Sequence, residues 1–244
     1  MRDAFDDELA AVSEQGSQNW FDIRAGRFTA SEFHRLMKSG TREMTEAELK
    51  ARPKTGKGSK SKLIEDPSCI SDDTMTYIYQ KVAETLTGQA GNEFFSHATQ
   101  WGDDLEPVAA EAYAERFKCE FDILSFVPYG DHAGGSPDRK IKGTNKIIEI
   151  KCPFNSENQV KYLMLTDQWD LKREYPQYYW QCQCNILFTG ADSCDFVAYD
   201  HRMIDPKHQM VVIEIKPVAE DLERIGIKLG AAIKEKLAIL NLLK

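Results

Sequence analysis

Residues Gly134 to Phe154, GGSPDRKIKGTNKIIEIKCPF, contain two short strand-forming runs on either side of Gly143-Thr144. Ile-rich runs of this length, bounded by Gly, Pro and Asn, read as paired β-strands, and a Gly-first pair suits a two-residue type II′ turn. Centring the turn there makes opposed residue numbers sum to 287, so Arg139 faces Ile148 and Asp138 faces Glu149. Opposed side chains have Cβ atoms about 4.5–5.5 Å apart, and like charges at that spacing destabilise a sheet unless a cation lies between them. Alternation puts Lys151 on the face of Glu149 and turns Ile148 and Ile150 to the opposite, buried side. One face therefore presents Asp, Glu and Lys together.

Two carboxylates with no His or Cys beside them form a hard oxygen site, which favours Mg²⁺ or Mn²⁺ over zinc. Mg²⁺ commonly keeps several waters and is shared with substrate phosphates, so the constellation suits phosphodiester hydrolysis, with Lys151 orienting the water or the phosphate. The same residues alone also fit a surface hairpin in which Asp138 is a turn residue and Glu149 and Lys151 form a solvated pair.

Upstream, Thr29-Ala30-Ser31-Glu32 fits a capping box and predicts a helix from about Ala30 to Lys38. Ser31 in its first turn, where free amides attract anions, and Arg24 as a forked donor form a candidate phosphate site, although Glu32 opposes this and a plain cap fits as well. Helices are predicted over 73–86 and 98–117, the second carrying Leu105, Ala109, Ala112, Tyr113 and Phe117 on one face, with a start or kink near Leu105 imposed by Pro107. Glu106 lies near the apolar side of that helix, where an unpaired carboxylate is costly and a metal-facing role fits, although an ordinary exposed glutamate ahead of Pro107 fits as well. Further strands are predicted at 121–127, 146–151, 194–199 and 210–215, a helix at 176–187, and an amphipathic helix along Leu222, Ile225, Leu229, Ile233, Leu237 and Leu240. The expected class is α/β (α+β): a central sheet flanked by helices, in a single domain over 1–244.

The stretch from about Thr41 to Pro67 breaks this pattern. Rich in Lys, Gly, Ser and Pro, it reads as a mobile basic insertion, either a solvated loop or a loop that touches DNA. Its portion from Lys50 to Lys62 has six basic side chains and no acid, so the rest of the chain carries six more negative charges than the net −8 of the whole. A polyanion could be met only at a local patch. With 42% apolar and 29% charged residues the chain is no disordered or collagen-like polymer. It has no export signal and no apolar run of about 20 residues, so cytoplasmic residence with free thiols and no membrane partner is expected. The Cys182, Cys184 and Cys194 thiols lack a CxxC pair and a fourth ligand for an iron–sulfur cluster. No phosphate-loop, dinucleotide-turn or HExxH motif occurs, so no nucleotide-driven motor is indicated and a zinc-hydrolase reading is weakened. The four tryptophans could stack on bases at a melted end, but core packing is their commoner fate.

Ser136-Pro137-Asp138, ten further residues and Glu149-Ile150-Lys151 match the PD-(D/E)XK pattern, and the Cys152-Pro153-Phe154 that follows resembles the lambda exonuclease and YqaJ recombinase group. NWFDIRAGRFTAS from Asn19, WGDDLEPVAAEAYA from Trp101, and YYWQCQCNILFTG with DFVAYDHRM resemble the same family in the same order. The resemblance implies a restriction-endonuclease-like fold with a central mixed β-sheet. It also implies Mg²⁺-dependent digestion of linear duplex DNA from 5′ ends, leaving 3′ single strands for phage-type recombination. A toroidal homotrimer and a single-strand annealing protein are the implied partners. Residue by residue it implies Asp138, Glu149 and the Ile150 carbonyl as metal ligands, with Glu106 as the upstream acid. It implies Lys151 as the catalytic lysine, Gln181 as a further active-site residue and Arg24 with Ser31 as the 5′-phosphate site. The long basic insertion, and Arg139 in place of a familiar glycine, depart from the pattern. An endonuclease of the same fold and a non-catalytic DNA-binding scaffold are the alternatives.

Overall fold

The computed structural model describes residues 18–51, 62–66, 69–91, 96–122 and 124–244. In chain order these form α1 (Gln18–Arg24), β1 (Phe28–Thr29), a 3₁₀ turn (Ala30–Arg35), β2 (Gly40–Glu43), α2 (Glu46–Ala51), β3 (Leu63–Asp66), α3 (Asp72–Thr87) and α4 (His97–Phe117). There follow β4 (Phe121–Asp122), β5 (Val127–Tyr129), β6 (Ala133–Gly135), β7 (Arg139–Ile141), β8 (Lys146–Lys151), α5 (Ser156–Leu163), α6 (Gln168–Glu174) and α7 (Pro176–Thr189). The last elements are β9 (Ser193–Tyr199), α8 (Pro206–Gln209), β10 (Met210–Ile215) and α9 (Ala219–Leu242).

The central sheet runs β10-β9-β8-β7-β4 and is mixed: β8 lies parallel to β9 and antiparallel to β7. A parallel neighbour demands a crossover, supplied by α5, α6 and α7 between β8 and β9. Ile148 and Ile150 pack with Ala109, Ala110 and Tyr113 of α4 on one face. Ile147 packs with Tyr179, Phe188 and Phe196 on the other. A second sheet, β1-β6-β5, sits against α7, and that helix is consequently buried at nine of its fourteen residues.

Register follows the expectation at Arg139↔Ile148 and Lys140↔Ile147, but the turn does not. The Thr144 N–H donates to the Ile141 carbonyl, and Gly143 takes the left-handed φ of 75°, so the turn is centred on Lys142-Gly143. The connecting loop, residues 142–145, is symmetric about the same midpoint, and the pairing therefore survives the shifted turn.

Three other expectations are corrected. The capping box does not form: the Thr29 hydroxyl lies 3.3 Å from that of Ser31 and 3.5 Å from that of Tyr77, Glu32 pairs with Arg35, and only a short 3₁₀ turn follows. The helix does not start at Pro107. The proline sits inside α4 toward its outer side, where water can take the carbonyl that loses its donor. The segment expected to be an insertion loop has ordered flanks, since β2 pairs with β3 and Arg42 ties Glu48 to Asp66. Residues 52–61, and with them most of the basic run, lie outside the described residues.

Candidate active site

All eight predicted site residues, Arg24, Ser31, Glu106, Asp138, Glu149, Ile150, Lys151 and Gln181, line one cleft of about 370 Å³. Several separate elements deliver them. The end of β8 carries Glu149 to Lys151, while α4 sends Ala98, Thr99, Gly102, Asp103 and Glu106 along one helical stripe. Gln181 comes from buried α7, and Arg24 and Ser31 come from the N-terminal elements.

Asp138 stands just before β7. Its N–H reaches the Ile148 carbonyl at 3.1 Å, so Asp138 and Arg139 share one partner residue and the regular ladder ends there. The carboxylate then folds over the strand end and accepts the Ile150 N–H at 2.6 Å. Ile150 also lines the cleft. Directly opposed ladder positions therefore do not describe Asp138 and Glu149: the two acids converge through a strand that steps off register.

Glu149 is fully buried. Its Oε1 accepts from Lys151 Nζ and from Gln181 Nε2 at 2.5 Å, and its Oε2 accepts from Asn185 Nδ2 at 3.1 Å. Burial raises the pKa of Glu149, against the pull of Lys151. Burial and then the Glu149 charge push Asp138 up to about 7. Burial and then Asp138 push Glu106 up to about 7, although Arg139 donates to it at 2.8 Å. Burial alone would lower Lys151, but Glu149 and Asp138 outweigh it and hold the ammonium charged.

Three carboxylates, Glu106, Asp138 and Glu149, thus line the cleft, with Arg139 paired to Glu106 and Lys151 to Glu149. An uncompensated buried charge costs several kcal/mol, and the raised acid pKa values express that cost. The donor set fits a hard divalent cation that keeps waters and shares a substrate phosphate. It does not fit a closed protein cage, since among the described residues no three His, Cys, Asp or Glu side chains converge on one point. Cys152 also lines the cleft, but burial and the Glu106 and Asp138 charges push its thiol up to about 12, which removes it as a nucleophile at neutral pH.

Gln181 reaches the cleft, whereas Gln183, two residues further along the same helix, turns away to the Lys216 carbonyl at 2.8 Å. Among the thiols, Cys182, Cys184 and Cys194 are buried and free. Trp20 is buried and lines the cleft, Trp180 is buried, and Trp169 is half exposed. Residue-by-residue reading missed Asn185 and the Trp20 platform. Trp20 Nε1 donates to Ser136 at 3.1 Å, and the Arg24 guanidinium stacks 3.6 Å above the indole. Both have a signal in helical spacing, since Arg24 follows Trp20, and Asn185 follows Gln181, by four residues.

A family model, the YqaJ-like viral recombinase domain, matches residues 19–192. No curated protein matches the sequence. Among solved structures, the alkaline exonuclease LHK-Exo from Laribacter hongkongensis is similar at a TM-score of 0.70 and 23% identity, covering 93% of this chain and 96% of that one. LHK-Exo in complex with dAMP aligns at 24% identity, with the same TM-score and coverage. A phage-related exonuclease from Haemophilus somnus 129PT aligns at a TM-score of 0.66 and 14% identity, covering 89% of this chain and 96% of that one. These likenesses bear out the expected α/β class and its restriction-endonuclease-like core. The family match spans well over half of the sequence, and the chain belongs to the YqaJ-like viral recombinase domain family.

Proposed function

We propose that this chain is a deoxyribonuclease that digests linear duplex DNA from its ends, 5′ to 3′, leaving 3′ single strands for recombination by annealing. The observation that carries the reading is the convergence of eight residues from separate stretches of sequence on one cleft with a surplus of buried negative charge. Family membership and a fold shared with exonucleases support it, as does the binding of dAMP, a nucleoside monophosphate, by one of them.

In this reading Asp138, Glu149 and the Ile150 carbonyl hold Mg²⁺, with Glu106 beside them and Mn²⁺ able to substitute. The ion, when bound, supplies charge neutralisation and a more acidic water. Lys151 orients the water or the scissile phosphate, its charge kept by the two acids. Gln181 anchors Glu149. Arg24, braced on Trp20, and the Ser31 hydroxyl receive the terminal 5′-phosphate. That role rests on side chains, because a short 3₁₀ turn lacks the aligned amides of a long helix. The nuclease unit is taken as one domain over 1–244, assembled as a homotrimer around the duplex and working with a single-strand annealing protein. No helix among the described residues is long and apolar enough to cross a membrane. The same reading places the activity in the cytoplasm of a bacterial host, whether host- or phage-encoded.

The test is a time course on linear duplex labelled at either the 5′ or the 3′ end, with Mg²⁺. Early release of the 5′ label with covalently closed circles untouched is the expected result. Nicked circles would favour an endonuclease, and tight binding without hydrolysis would favour a scaffold.

A further inference from the structure

Asn185 is fully buried one turn beyond Gln181, and the two amides divide Glu149 between them. Oε1 is occupied by Gln181 and Lys151, whereas Oε2 accepts, among the described residues, only from Asn185, at 3.1 Å. A carboxylate oxygen has two lone-pair sites, so Oε1 is filled and Oε2 keeps one open. The direction of that open lone pair depends on where Asn185 holds its partner.

The amide cannot serve the other way round, because a flip would set Oδ1 against a carboxylate. In the orientation it has, Oδ1 is buried without a hydrogen-bond partner among the described residues. It is pressed against Gly135 so closely that a Cβ on that glycine would collide with it. An orphaned buried acceptor counts against stability. What Asn185 contributes in return is its N–H to Glu149.

We infer that Asn185 is a positioning residue that aims the free lone pair of Glu149 at the cation, with Gly135 as the backstop that keeps the amide in place. This rests on the reading of the cleft as a metal-dependent hydrolytic site. The same helix that buries its apolar surface between the two sheets therefore sets the geometry of the acid through two residues at i and i+4.

The test uses Mn²⁺ alone as probe, titrated into the full-length protein and followed by electron paramagnetic resonance, alongside steady-state digestion of linear duplex. For Asn185→Leu we expect the Mn²⁺ dissociation constant to rise about 10–100-fold. We expect kcat to fall and to recover as Mn²⁺ is raised, with KM for DNA within about twofold of wild type. Gly135→Ala, which displaces the amide while keeping it, moves Mn²⁺ affinity in the same direction, and the double variant is no worse than Asn185→Leu. Wild-type Mn²⁺ affinity in Asn185→Leu overturns the inference. Should that variant not fold, wild-type affinity in Gly135→Ala overturns it alone. If wild type itself binds no Mn²⁺ in the cleft, the metal-dependent reading fails instead.

Discussion

A buried carboxylate is informative because of what it costs. Asp138 is shielded from water, close to Glu149, and bonded to the Ile150 N–H. Asp138→Asn keeps its shape and removes its charge, so hydrolysis is expected to fall on the order of 10²–10³-fold or more while the fold persists. Filter binding of linear duplex by this variant should remain measurable; an undiminished digestion rate would remove Asp138 from the site. Arg24 makes a different kind of contribution, since its guanidinium lies over the Trp20 indole in the same cleft. Arg24→Ala should erase most of the preference for a 5′-phosphorylated end over a 5′-hydroxyl end. The measurement is the ratio of kcat/KM on the two substrates, and an unchanged ratio refutes the role.

At the scale of elements, the N-terminal part of the cleft is held from behind by buried charges. Gly26, at φ 73°, follows α1 and turns the chain toward β1. Its N–H donates to Glu84 of α3 at 2.8 Å, and its carbonyl accepts from Lys236 of α9 at 2.6 Å. Lys81 closes the group through a buried ion pair with Glu84 at 2.9 Å. Burial, then the nearby Lys81 charge, holds the Lys236 ammonium below the usual lysine range, with Glu84 opposing and Arg27 reinforcing that shift. A lysine with a lowered folded pKa stabilises fully only above its unfolded value near 10.4, and that contribution is lost as pH falls through the folded value. The stability gap between wild type and Lys236→Met should therefore move in favour of wild type as pH rises from about 7.5 toward about 10. Urea midpoints across that range measure it; a constant gap would place the amine in water.

On the scale of the whole molecule, a net charge of −8 and a polyanionic substrate are compatible only if positive charge is concentrated. The basic run at 50–62 is the sequence's largest such concentration. If it touches DNA, replacing Lys54, Lys57, Lys60 and Lys62 by Gln should flatten the plot of log binding constant against log salt by about 0.9 for each phosphate no longer neutralised. The rate at saturating DNA should hardly change. An unaltered slope would make the run a solvated loop.

The hairpin and the acids it brings to the cleft were legible in the sequence because both are local. Alternation decides which side chains share a face, and a loop of even length keeps the register whether the turn centres on Gly143-Thr144 or one residue earlier. The helix at 176–189 was visible for the same reason. Its neighbours were not. Thr29 gave up its capping role for a tyrosine 48 positions downstream, Arg139 acquired Glu106 across 33, and Lys236 reached back 210 to Gly26. Buried polar groups must find partners wherever the packed chain brings them, and no periodicity records those partners. Pairing within the hairpin, the acids it carries and the stacking of Arg24 on Trp20 were thus written in short segments, whereas the aim of Glu149 came from a helix that meets the strand across the core.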